Sequence, residues 1–207
     1  MQSQGNIPRK HRPQKELQDF EHRVVFDPTD YGLAIASDID FSTMDHRILQ
    51  VFSRFFNDGL IHANGNKCFF MSHLLRRILR LHGIEAHVRQ VIHYYANLDR
   101  GWKQTIGEPM GNTHGGRIDS HILVVTKDYI LDWAVIQAIH WSFGLKAPLA
   151  FIGKNDESLW DQEQNFGDFG SVIWQRRRDH RDTKNVVFEC REDVKDFTQE
   201  YFSKYRM

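Results

Sequence analysis

Apolar side chains recur at helical spacing twice in the first half of the chain and then give way to alternation. Ile48, Leu49, Phe52, Phe55 and Phe56 fall on one helical face. Ser42 and Thr43 precede this run, with Asp45 placed as in a capping box, and Asn57-Asp58-Gly59 supplies the stop. The second periodic run, residues 68–82, is the clearest. At ~100° per residue, Phe70, Met71, Leu74, Leu75, Ile78 and Leu81 gather on one side, and Ser72, His73, Arg76, Arg77 and Arg80 on the other. Gly83 follows as the residue that ends the helix. The pattern predicts a core helix with a solvated basic face, opened by Cys68.

After Gly83 the period becomes two. Ile84, Ala86, Val88, Gln90, Ile92 and Tyr94 alternate with Glu85, His87, Arg89, Val91 and His93, which predicts a strand with the second set, His93 included, facing out. Residues 121–126 and 129–133 read as two short strands turning at Lys127-Asp128. Val186, Val187 and Phe188 read as another strand. Residues 192–205 read as a closing helix with Val194, Phe197, Tyr201 and Phe202 as its apolar side.

The breaks are equally informative. Residues 1–15 are polar, carry Pro8 and Pro13, and are expected to form a tail, leaving 16–207 as a single domain. Residues 61–67 form a polar loop before Cys68. Residues 97–120, with Gly101, Gly107, Pro109, Gly111, Gly115 and Gly116, read as one long loop and a candidate lid or substrate-recognition element.

Composition narrows the function. Lys plus Arg balances Asp plus Glu at 27 each, so no global field draws the chain to nucleic acid or an anionic membrane. No apolar run is long enough to span a bilayer. The N-terminal basic residues are not followed by an apolar stretch, so no secretory signal is read and a cytoplasmic location is expected. The two cysteines, Cys68 and Cys190, are then thiols rather than a structural disulfide. Twelve histidines raise a metal-binding alternative, with His62, Cys68, His73, His82, His87, His93, His114 and His121 as ligands, but none shows compact ligand spacing and no metal is assigned. A second alternative is a binding module without chemistry, using Arg76, Arg77, Arg80, Arg176, Arg177, Arg178 and Arg181.

Chemistry enters through Cys68. Unpaired N–H groups and the helix dipole stabilise a thiolate at a helix start, although most free cysteines are small buried hydrophobes. The downstream hairpin favours the first reading. If Thr126 pairs with Tyr129, Leu123 lies opposite Asp132 and His121 opposite Ala134. Opposed residues share a face and faces alternate. His121 and Asp132 are therefore diagonal neighbours at ~7 Å, within reach of a hydrogen bond. Cys68 is the expected nucleophile, His121 the base and Asp132 the carboxylate that orients it, with no cofactor required. Backbone N–H groups of the helix start, with Asn64 or Asn66, are candidates for an oxyanion site, and Trp102 and Trp133 for the walls of a cleft. Cys190, at the end of a short strand, is read as structural.

The stretch 65–89, which runs from Gly65-Asn-Lys-Cys68 through a helix to Gly83-Ile84 and Arg89, resembles the transglutaminase-like superfamily. So do Gly-Gly-Arg-Ile-Asp-Ser-His121 and Tyr-Ile-Leu-Asp132, in the order Cys, His, Asp. The resemblance covers residues 60–135. Members of that superfamily often place an aromatic soon after the histidine, where this chain has Ile122-Leu123; arylamine N-acetyltransferases share the order, but the arginine of their Arg-Gly-Gly lead-in has no counterpart before Cys68. The broad superfamily implies an α+β, papain-like fold with the nucleophile helix packed on an antiparallel sheet. It also implies acyl transfer or amide hydrolysis on a peptide, protein or small acyl substrate.

Overall fold

Helices and strands have nearly equal shares of the computed structural model, which describes residues 33–57, 68–107, 121–132, 150–177 and 191–205. The predicted tail 1–15, the loop 61–67 with Asn64 and Asn66, residues 108–120, Trp133, the strand 186–188 and Cys190 lie outside the described residues. In chain order the elements are β1 (Leu33–Ile35), α1 (His46–Asn57), α2 (Cys68–Leu81), β2 (His87–Asn97), β3 (Trp102–Ile106), β4 (His121–Val125), β5 (Tyr129–Asp132), β6 (Ala150–Lys154), β7 (Asp161–Asn165), β8 (Ser171–Arg176) and α3 (Arg191–Tyr205).

All the described strands join one sheet in the order β1-β6-β5-β4-β2-β8-β7, with β3 added to β2. The β1–β6 pair is parallel and the other pairs are antiparallel. This is an α+β arrangement. On one edge of β2, β4 pairs along His87 to Val91 and β3 takes over along His93 to Asn97, while β8 runs beside Val91 to Ala96 on the other edge. The chain therefore concentrates three neighbours around the middle of β2.

The sheet is buried on both faces at its centre. Val124, Leu131 and Ile152 pack with the helices, against Phe52 and Phe55 of α1 and Phe70, Leu74, Leu75 and Ile78 of α2. Leu123, Val125, Ile130, Phe151, Phe166, Val172 and Trp174 form a second cluster on the opposite face. A fully buried Leu, Ile or Phe contributes roughly 1.5–3 kcal/mol relative to exposure, so α2 is held firmly by its apolar stripe. The close of α2 follows the expected pattern. Gly83 takes φ +77°, and Ile84 N–H donates back to Leu79 O at 2.9 Å.

Several expectations are corrected. Ser72 is buried and bonded rather than solvated, and Leu81 is 52% exposed while Leu79 takes its place in the core. The cap of α1 is Asp45, which accepts from Arg47 N–H at 2.9 Å, and Ser42 belongs instead to a 3₁₀ turn capped by Asp40. The single loop predicted over 97–120 starts as structure. Asn97 ends β2, a turn closes at Gly101, and Trp102–Ile106 is a strand. Its side chains alternate between half-buried Trp102, Gln104 and Ile106 and exposed Lys103 and Thr105. Glycines on both sides hide this short alternation in the sequence.

Candidate functional site

Cys68 is the first residue of α2, partly buried and not in a disulfide. The helix is fastened to β4 one turn later, where Ser72 Oγ–H donates to Ile122 O at 2.8 Å. That carbonyl belongs to the residue after His121. The fastening sets the start of the helix against the start of the strand, and the Cys68 thiol is in hydrogen-bonding contact with the His121 imidazole.

The hairpin adopts the expected register. Val124 pairs with Leu131 and Val125 with Ile130, and Thr126 N–H donates to Tyr129 O at 2.9 Å. Leu123 is thereby opposite Asp132, and His121 is its diagonal neighbour. His121 Nε2 meets Asp132 Oδ1 at 2.8 Å. This leaves Nδ1 as the ring nitrogen available to the thiol.

All three ionisable partners on the sheet are essentially excluded from solvent, with His93 and Asp132 at 0% and His121 at 1% exposure. Burial alone pulls the His121 imidazole down. The Asp132 charge and hydrogen bond and the Cys68 contact outweigh it, pushing His121 up to about 10. Burial likewise works against ionised Asp132, but the His121 charge and the hydrogen bonds from His121 and His93 hold its carboxyl well below the usual carboxylate range. The resident form is thus an imidazolium–carboxylate pair in a dry interior.

A third side chain reaches the carboxylate. His93 Nδ1 meets Asp132 Oδ2 at 2.8 Å, and Trp174 Nε1–H donates to the same oxygen at 2.8 Å. This corrects the outward placement of His93. Its face of β2 is exposed at His87, but from Val91 onward β8 and β3 flank the strand, and Val91, His93 and Tyr95 are all buried. The apolar residues two positions to either side of His93 are the sequence signal that could have found it. Trp174 sits directly across from His93 on β8. It has room because β6 carries Gly153, where an added Cβ would lie 2.4 Å from Trp174 Cζ3.

Neither the protein-family models, nor the curated proteins, nor the solved structures contain a match to this chain.

The donor atoms of His93, His121 and Asp132 lie within 4.8 Å of one another, close enough for a shared cation. Their pairing points elsewhere. Each imidazole nitrogen faces its own carboxylate oxygen, and the indole N–H adds a third donor there. A metal site directs lone pairs at a common centre, whereas this carboxylate is filled by N–H groups. Of the other predicted residues, Trp102 is not brought to the site. It pairs with Asn97, four positions from the His93↔Ile106 pair, about 13 Å along a strand, and Arg100 lies over its ring at 5.0 Å. Arg176 does not form an unopposed basic patch, since Glu157 bridges it and Arg89. Arg177 Nη1–H donates to Gly107 O at 3.3 Å, securing the residue that abuts His121.

Proposed function

We propose that the protein is a cysteine-dependent enzyme that transfers acyl groups or hydrolyses amides through a thioester, on a papain-like, transglutaminase-like scaffold. The observation carrying this is the contact between a thiol at the first residue of a helix and an imidazolium whose other nitrogen is held by a buried carboxylate. The reading is supported by the order Cys68, His121, Asp132 along the chain and by the packing of α2 on β4.

In this chemistry the proton of the Cys68 thiol is the one held on His121, so the resulting thiolate sulfur attacks the substrate carbonyl carbon, and the electron pair moves to oxygen. N–H groups at the start of α2 face the developing oxyanion. Collapse expels the amine, which takes the proton held on His121 and leaves a thioester on Cys68. Water or a second amine then attacks the thioester, losing a proton to His121 as sulfur departs. Asp132 stays ionised and keeps the ring in place.

The test is alkylation of the wild type, Cys68→Ala and His121→Ala by iodoacetamide across pH, read by intact mass, together with trapping of an acyl-enzyme from an activated acyl ester. Label confined to Cys68, much slower without His121, with an acyl adduct on the same thiol, is expected. A Cys68 that reacts identically with and without His121 overturns the proposal.

A further inference from the structure

The two imidazoles on Asp132 are not equivalent. His121 contacts the thiol. His93 hydrogen-bonds Asp132 rather than the thiol; its ring lies edge-on to the His121 ring at 5.6 Å between centroids, and it occupies the other carboxylate oxygen with no exposure to solvent. Its ring is walled by Phe151 at 5.8 Å and Trp174 at 6.2 Å between centroids, with Val91 and Tyr95 buried in the same cluster. An apolar side chain would fill such a wall at lower desolvation cost. The histidine instead spends one nitrogen on Asp132 and leaves Nε2 buried with no partner.

We propose that His93 is a positioning residue of this site: neutral, protonated on Nδ1, it clamps Oδ2 of Asp132 so that Oδ1 is presented to His121 in one orientation. The proposal rests on the thiol-dependent function above. Its physical basis is that a carboxylate bonded through one oxygen turns easily about its terminal torsion, which has broad, roughly two-fold wells. Two further donors on the second oxygen, His93 Nδ1–H and Trp174 Nε1–H, remove that freedom. The protonation states follow from the partners. The carboxylate is ionised and accepts, so the nitrogen facing it carries the hydrogen. The stranded Nε2 is then a bare lone pair rather than a stranded N–H with a charge, and burial, the dominant influence, disfavours the charged ring. One carboxylate thus holds an imidazolium on one side and a neutral imidazole on the other. The ionisable groups meeting there are Cys68 from α2, His93 from β2, His121 from β4 and Asp132 from β5.

The experiment has a spectroscopic arm and a kinetic arm. In wild-type protein labelled with 15N-histidine, His93 is expected as the neutral Nδ1–H tautomer and His121 as doubly protonated at neutral pH. An Nε2–H tautomer or an imidazolium at His93 overturns the proposal, and this readout stands even if the protein proves to have no thiol-dependent activity. In the kinetic arm, His93→Leu keeps the volume and removes the donor. It is expected to lower kcat by up to about a hundredfold with KM little changed, and to move the alkaline limb of the pH–rate profile downward. His93→Asn puts an amide N–H where Nδ1 stood and is expected to recover much of kcat, whereas His93→Gln, whose amide reaches the Nε2 position, is not. Equal recovery by Asn and Gln, or a wild-type kcat and profile in folded His93→Leu, overturns the assignment. If His93→Leu does not fold, the Asn-versus-Gln comparison decides.

Discussion

Asp132 carries more of the site than its single charge suggests, because it answers three N–H donors while shut off from water. Replacing it with Asn keeps the shape and removes the charge. His121 then loses the partner that offsets its burial. Its titration is expected to fall from about 10 to 6.5 or lower, the ordinary histidine value being 6.5. Histidine NMR would follow the shift directly, and activity at neutral pH is expected to drop on the order of a hundredfold. An unmoved His121 titration would show that the carboxylate is not what charges the ring. At this scale the sequence was informative wherever the relation was local. A cysteine opening a helix and a histidine two positions out of step with an aspartate across a two-residue turn need only the periods of the two structures. The flanking Val91 and Tyr95 hinted that His93 is buried, but its meeting with Trp174 was not legible, because it depends on β8 settling beside β2 about eighty residues later in the chain.

Among the elements, the join between β3 and β4 bears directly on the site. Gly107 sits at φ +84°, and a Cβ there would lie 2.6 Å from His121 N and 2.9 Å from Val91 O. Gly107→Ala is therefore expected to displace the start of β4 and lower kcat while leaving far-ultraviolet circular dichroism near that of the wild type. Gly101 is the control. Its φ of +69° strains an alanine similarly, but nothing lies within 4 Å of the added carbon, so Gly101→Ala is expected to cost about 1 kcal/mol of stability with activity retained. Equal activity losses would place the effect in backbone strain rather than in the position of His121. The three helices, β2 and the β4–β5 hairpin follow periodic patterns and were readable, whereas β1, β6, β7 and β8 were not read, their scattered aromatics and glycines giving no clear period, and β3 was lost between glycines in a five-residue alternation too short to stand out.

The whole molecule balances histidines of opposite sense. His82, pulled down to about 4 by its partial burial and by the nearby Arg54 and Arg47 charges, is joined by His73 and His93, which burial also lowers. These rings stay neutral in the fold but take protons in the unfolded chain, so stability falls as pH drops below the ordinary value of 6.5. His121 does the reverse. Its folded value of about 10 means that its contribution is complete below 6.5 and is lost progressively as pH rises toward 10. Urea midpoints are expected to peak near pH 6.5, and the alkaline decline is expected to flatten in His121→Gln. A maximum well into the alkaline range would contradict this assignment of charge. Among the described residues no helix is long and apolar enough to cross a membrane, in line with the sequence. The strand order was beyond the sequence, since alternation marks a strand's faces but not its neighbours.

The contact between Gly107 and His121 also has an evolutionary side. The chain departs from the sheet at Gly107 and rejoins it at His121, and these two points adjoin. Both anchoring residues touch the imidazole's own backbone neighbourhood, so inherited change at either one reaches His121 before it reaches any other strand.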